Sequence, residues 1–232
     1  MNASRSGRLP VPAEIRSPKF LSYVGECLYT AVLSDALDEL GTRHQAMREY
    51  LRPVHAGCRL AGWAHTISCV DTLEISATPS DTEIQAVDSI QPDHVVVVST
   101  GHSTCSAPWG GLLSTAASAR GARGAVVDGL VRDVQQIEAL GFPVFAAGPK
   151  PVGSLGRGIV TGYNEAVECG EVMVHPGDLI VADFDGVVVV PGAMVQEAVR
   201  LAADRVRQED GSRAELAAGT YLRDLYRKCG SL

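Results

Sequence analysis

Three short apolar runs constrain this chain more than any other feature: HVVVVST at 94–100, GAVVDG at 124–129 and PVFAAG at 143–148. Each has strand length, and valine dominates the first two without alternating with polar residues, the pattern of strands buried on both faces of a sheet. Between them lie two stretches of helix formers, LLSTAASARG closed by Gly121 and DVQQIEALG closed by Gly141. In the second, Val134, Ile137 and Leu140 recur at helical spacing, and Asp133 stands where an N-cap belongs. A strand–helix–strand–helix–strand order predicts parallel pairing through right-handed crossovers, and hence an α/β fold.

The flanking regions read less sharply. Residues 1–18 are polar and hold three prolines, which predicts an extended N-terminal arm, with one domain from residue 19 to residue 232. TAVLSDALDELG reads as a helix, with Val32, Leu33, Ala36, Leu37 and Leu40 on one side and Asp35, Asp38 and Glu39 on a solvated one. Residues 57–70 read as strands broken by glycine, and a short amphipathic helix follows, carrying Ile84, Val87 and Ile90. After Lys150, turns such as HPGD alternate with β-branched runs, so the second half is expected to be β-rich. The charged stretch 192–217 predicts a helix broken near Gly211, with a C-terminal helical tail behind it.

Charge and cysteine usage narrow the function. A net charge of -7, with no offsetting Lys/Arg block, repels a phosphate backbone, so no nucleic-acid partner is expected. No run of about 18 apolar residues exists to span a membrane, and the N-terminus lacks the apolar core of a signal peptide. The six cysteines show no metal-binding spacing and are expected to be reduced thiols in a cytoplasmic protein.

In a parallel α/β sheet the ligand crevice lies at the C-terminal ends of the strands. Two loops leave such ends, at 101–111 and at 129–133. In the first, Gly110 and Gly111 allow close backbone approach, and the amides of Gly111, Leu112 and Leu113 open a helix whose N-terminus attracts anions. The second presents Arg132 and Asp133 side by side. Arginine offers a planar fork to a carboxylate, and aspartate offers oxygen to a hard cation such as Mg²⁺. On the residues alone a plainer reading competes, with Asp133 as a helix cap and Arg132 as a surface partner. Asp128 reads as a turn residue or a supporting hydrogen-bond partner, and His65, alone on a strand, as structural.

The run GGLLSTAASARGARGAVVDGLVRD resembles the signature of the RraA-like family. The likeness continues through SDALDELG, RPVHAGCRLAGWA, DSIQPDHVVVV and HPGDLIVADFDGVVVVP, and so covers most of the chain. The resemblance implies a compact layered α/β sandwich, assembled as a homotrimer or homohexamer with sites near subunit interfaces. It implies a divalent-metal-dependent lyase that releases pyruvate from a small 2-oxo acid such as 4-hydroxy-4-methyl-2-oxoglutarate or oxaloacetate. The family also includes a non-catalytic regulator of ribonuclease activity, which is the alternative. Its substrate-binding backbone falls on Gly110, Gly111, Leu112 and Leu113, its substrate arginine on Arg132, and its metal-ligating aspartate on Asp133. Few protein ligands reach the metal in the family, which suits Mg²⁺, with Mn²⁺ as a substitute. Retention of Asp133 favours the enzyme over the regulator. One departure stands out: the family's aldolases commonly carry an acid where this chain has Gly111, and glycine cannot position a water for proton transfer. Glu209 of a neighbouring subunit is one candidate replacement.

Overall fold

The three apolar runs do form neighbouring parallel strands, and the rest of the chain is arranged to cover them. The computed structural model describes residues 14–75 and 80–229. In chain order the elements are α1 (Pro18–Cys27), α2 (Thr30–Glu39), β1 (Arg52–Pro53), β2 (Leu60–Asp71), α3 (Asp81–Asp88), β3 (His94–Ser103), α4 (Gly111–Ala119), β4 (Gly124–Val131), α5 (Val134–Leu140), β5 (Val144–Pro149), β6 (Gly158–Tyr163), β7 (Val167–Cys169), β8 (Val172–Val174), β9 (Leu179–Asp183), β10 (Gly186–Val190), α6 (Val195–Ala217) and α7 (Leu222–Cys229). The main sheet runs β1-β5-β4-β3-β2-β9-β10, with β6 also paired to β2. β2, β3, β4 and β5 are mutually parallel, whereas β1, β6, β9 and β10 join antiparallel.

Alternation along β3 explains why its valines run without a break. Val95 and Val97 enter a core shared with Val126, Phe145 and the β7–β8 hairpin. Val96 and Val98 enter a second core beneath α3, α4 and α5. A third core joins α1, α2 and α6 to β2, β9 and β10 through Trp63, Leu179, Val181 and Val188. Both faces of the central strands are therefore dry along their buried runs, covered by helices and by the β7–β8 hairpin.

Several local expectations are corrected. Pro18 already belongs to α1, whose N-cap Ser17 accepts a hydrogen bond from the Phe20 amide at 3.2 Å. The arm expected over 1–18 lies, for residues 1–13, outside the described residues. Glycine does not break the strand at 57–70: β2 is continuous, and Gly62 serves a different purpose. A Cβ there would stand 2.5 Å from the Asp93 carbonyl oxygen, the same oxygen that accepts the Trp63 amide at 2.9 Å. Val87 of α3 and Ile90 just beyond it are buried as expected, but Ile84 is 54% exposed and Ala86 takes the inner position. α6 passes through Gly211 unbroken, because its packed face, Val195 to Val206, lies before that residue.

His65 is fully buried, with Nε2 2.9 Å from the Ala86 carbonyl oxygen. Burial pushes its pKa down and keeps the ring neutral, as suits a structural histidine. The five cysteines with described side chains are free thiols.

Because its new methyl group meets backbone rather than a yielding side chain, Gly62→Ala is expected to destabilise the fold by about 1–3 kcal/mol. Urea unfolding should show this as a lowered midpoint with an unchanged slope.

Candidate functional site

The site lies where two chain segments leave the parallel strands together. β4 is buried to Val131 and then exits. Trp109, on the segment leading into α4, forms an isolated parallel bridge with Val131, and its carbonyl accepts the Arg132 amide at 3.0 Å. The Trp109 ring is itself buried, and its Nε1 donates to Ser114 Oγ at 2.9 Å. These contacts bring Gly110 and Gly111 against Arg132 and Asp133.

The closeness explains the glycines. A Cβ on Gly110 would stand 2.8 Å from Asp133 Oδ2 and 2.9 Å from Arg132 Cγ; one on Gly111 would stand 3.3 Å from Asp133 Cβ. Gly110 caps α4, and Gly111 begins it. The Gly111 amide donates to Asp133 Oδ2 at 3.2 Å. The amides of Leu112 and Leu113 have no acceptor among the described residues, as expected of a first helical turn. Leu112 points its side chain outward, 84% exposed, whereas Leu113 packs on the core beneath α4.

Asp133 occupies the N-cap position of α5, yet it does not cap through its side chain. Its backbone is left-handed, at φ 59° and ψ 37°, a conformation that aspartate tolerates at some cost. In this conformation its carbonyl accepts the Gln136 and Ile137 amides, while its carboxylate turns across to Gly111. Arg132 Nε lies 3.7 Å from Asp133 Oδ2, and both side chains are about half exposed, at 47% and 42%. Arg132 extends toward Gly153, where a Cβ would lie 3.0 Å from Nη1. Oδ1 of Asp133 has no partner among the described residues.

All six residues singled out in the sequence therefore meet at one place. Others singled out do not join them. Asp128 lies within β4 on the opposite face of the sheet, buried, and accepts a hydrogen bond from the Tyr50 hydroxyl at 2.5 Å. It is a supporting partner rather than a turn residue. Burial and that carboxylate together push the Tyr50 pKa up. Glu209 is held by Tyr29 and Arg213 of its own chain. Asp35 and Glu39 sit on the outer side of α2 beside Arg205.

Sequence reasoning missed two neighbours of Arg132. Gly153 comes from the loop after β5, where the only signal is a glycine among several. Glu83 comes from α3, a helix read only for its apolar positions Ile84, Val87 and Ile90. Glu83 lines a pocket of about 50 Å³ with Cys69, Ser80, Pro108 and Ser154. Burial pushes the Glu83 pKa up, and the Arg132 charge opposes that shift.

The fold and its arrangement of loops place the chain among layered α/β proteins of known structure. The RraAS2 protein of Streptomyces coelicolor, described as an unusual member of the RNase ES inhibitor RraA protein family, superposes with a TM-score of 0.77. It is 30% identical, over 87% of this chain and 99% of that one. Residues 30–189 match the RraA-like family model, described as Aldolase/RraA, and the chain belongs to that family. It is 38% identical over 156 residues to the uncharacterized protein MJ0644 of Methanocaldococcus jannaschii, covering 66% of this chain and 74% of that protein. It is 30% identical over 184 residues to a Halalkalibacterium halodurans protein named "Putative 4-hydroxy-4-methyl-2-oxoglutarate aldolase", covering 79% of this chain and 82% of that protein.

Asp133→Gly removes the left-handed strain along with the carboxylate. Thermal unfolding is expected to show stability unchanged or raised by up to about 1 kcal/mol, in contrast to the loss of function predicted for this position below.

Proposed function

We propose that this protein is a divalent-metal-dependent lyase that cleaves a C–C bond in a 2-oxo acid, such as 4-hydroxy-4-methyl-2-oxoglutarate or oxaloacetate, and releases pyruvate. The observation that supports this reading is the convergence of a guanidinium, a carboxylate with one unengaged oxygen and the open first turn of α4. A 2-oxo acid presents a carboxylate and an adjacent keto oxygen, and these three features complement it. Arg132 is the partner for the substrate carboxylate, as a planar donor fork is suited to be. The Leu112 and Leu113 amides supply further donors at the positive end of a helix.

The donor set also bears on the metal. Among the described residues no group of three or more His, Cys, Asp or Glu side chains converges, which disfavours a closed zinc-type centre. One exposed carboxylate, with room for water and substrate oxygens, suits Mg²⁺ or Mn²⁺, which retain much of their hydration. Asp133 would hold the ion. When bound, it would polarise the keto group and stabilise the enolate that cleavage leaves. The chain's own share is orientation. The Gly111 amide fixes the carboxylate, the left-handed backbone of Asp133 aims it away from α5, and Gly110 keeps the space beside Arg132 clear.

In assays of pyruvate release with and without Mg²⁺, Asp133→Ala is expected to abolish metal-dependent turnover while the protein remains folded. Arg132→Ala should raise KM for the 2-oxo acid by roughly 10- to 100-fold, from the loss of a charge-assisted hydrogen-bond pair. Full activity in Asp133→Ala would refute the assignment. A wild-type protein inactive on both substrates would point instead to a binding role like that of the ribonuclease regulator.

The protein is further proposed to act as a homotrimer or homohexamer. Tyr221, Leu222 and Tyr226 of the terminal segment are all exposed, which supports burial against a second copy. Light scattering should give three or six times the 24.4 kDa chain mass; a monomer would refute this.

A further inference from the structure

The lyase reading leaves a proton without a carrier. Cleaving a 4-hydroxy-2-oxo acid between C3 and C4 requires loss of the C4 hydroxyl proton, and the enolate then needs a proton at C3. Arg132 cannot take either role, since its guanidinium does not deprotonate. Asp133 is committed to the Gly111 amide on one oxygen and, on the proposed reading, to the metal.

Glu83 meets the requirement by position. Two residues lining its pocket are chain neighbours of residues that touch Arg132. Pro108 precedes Trp109, whose carbonyl accepts the Arg132 amide. Ser154 follows Gly153, against which the Arg132 guanidinium lies. A volume of about 50 Å³ has room for at least one water. Among the described residues no hydrogen bond or ion pair engages the Glu83 carboxylate, and the charge acting on it is that of Arg132. Among the described residues, Arg132, from the segment after β4, acts on it through its charge, Cys69 of β2 shares the pocket, and the other lining residues are uncharged. Burial, with Glu83 as the next cause, pushes the Cys69 thiol up to about 11, so the thiol stays protonated and is not a competing base.

We propose that Glu83 is the acid–base residue of this site, acting on the 2-oxo acid directly or through one water in that pocket. The inference rests on the lyase reading. The Glu83 carboxylate accepts the C4 hydroxyl proton, the O–H pair becomes the second bond of the new C4 carbonyl, and the C3–C4 pair moves onto the 2-oxo group as an enolate. The same proton then returns to C3, giving pyruvate and regenerating the carboxylate. No oxidant or co-reactant is needed. Its raised pKa makes Glu83 a stronger base than an exposed glutamate, in the direction general acid–base catalysis favours.

Oxaloacetate separates this role from a structural one. Losing CO₂ requires no hydroxyl proton to be removed, so bond cleavage there proceeds without a base. The experiment compares wild type with Glu83→Gln in three readouts: kcat for 4-hydroxy-4-methyl-2-oxoglutarate cleavage, kcat for oxaloacetate decarboxylation, and exchange of the pyruvate methyl protons in D₂O followed by NMR. Expected in the variant are an aldol kcat at least about 100-fold lower with KM little changed, decarboxylation within a few-fold of wild type, and methyl exchange lost. Glu83→Asp, which keeps the carboxyl on a shorter arm, should recover part of the exchange. Equal losses in cleavage and decarboxylation, or wild-type exchange in Glu83→Gln, would overturn the assignment and leave the lyase reading standing. A wild-type protein inactive in all three assays would overturn both.

Discussion

The backbone link between Trp109 and Arg132 is the contact on which the candidate site depends. β3 and β4 lose simple register between Ser99 and Ser103, and the chain then leaves the ladder before it returns at Trp109. Trp109 ends that excursion. Its ring is sealed in the core, its Nε1 is satisfied by Ser114, and its carbonyl continues the ladder onto Arg132. Truncating a buried tryptophan typically costs ~3–5 kcal/mol, so the ring is a firm anchor for an otherwise irregular segment. The glycine pair and the start of α4 inherit their positions from it.

Crowding sets the chemistry at that junction. Gly110 and Gly111 are small because the Arg132 and Asp133 side chains occupy the space a methyl group would need. In turn Asp133 leaves the ordinary helical region, giving up the cap it stands ready to make, and spends its carboxylate on Gly111. The left-handed backbone carries a local cost and leaves the carboxylate free of the cap, as the metal-holding role proposed for it requires. Seen this way, a glycine at position 111 is coupled to Asp133 as well as being a missing acid, and a proton carrier from a different element, Glu83 on α3, is compatible with it.

β2 organises the rest. Leu60 to Trp63 pair with β9 and Ile67 to Asp71 with β6, so the partner changes between Trp63 and Ile67; a register shift within the β6 pairing follows at Ser68 and Cys69. That change lets one strand border two antiparallel neighbours while keeping β3 on its other side. It brings Cys69 and the β6 segment to the same end of the sheet as the α4 and α5 N-termini. The pocket containing Glu83 exists because β2 is long enough to reach both regions.

The sequence by itself determined the features that depend on near neighbours in the chain. Valine runs marked the doubly buried strands, glycines the helix stops, and covalent adjacency guaranteed that Arg132 and Asp133 arrive together. Gly110 and Gly111 were legible for the same reason, although the cause assigned to them, room for a ligand, is joined in the structure by the crowding of Arg132 and Asp133. The tertiary structure alone decided what crosses between segments. Helical spacing singled out only apolar positions around Glu83, and packing of α3 beside β6 places that residue in a pocket near Arg132. The periodicity that placed Ile84 inside was overruled where Ala86 fits closer to the sheet. Gly62 looked like a break because glycine weakens strands, whereas the approach of the Asp93 carbonyl, visible only once β3 lies alongside, makes glycine a requirement. Local propensities act over a few residues, while these outcomes follow from which surfaces the sheet order brings together, and that order is a property of the whole chain.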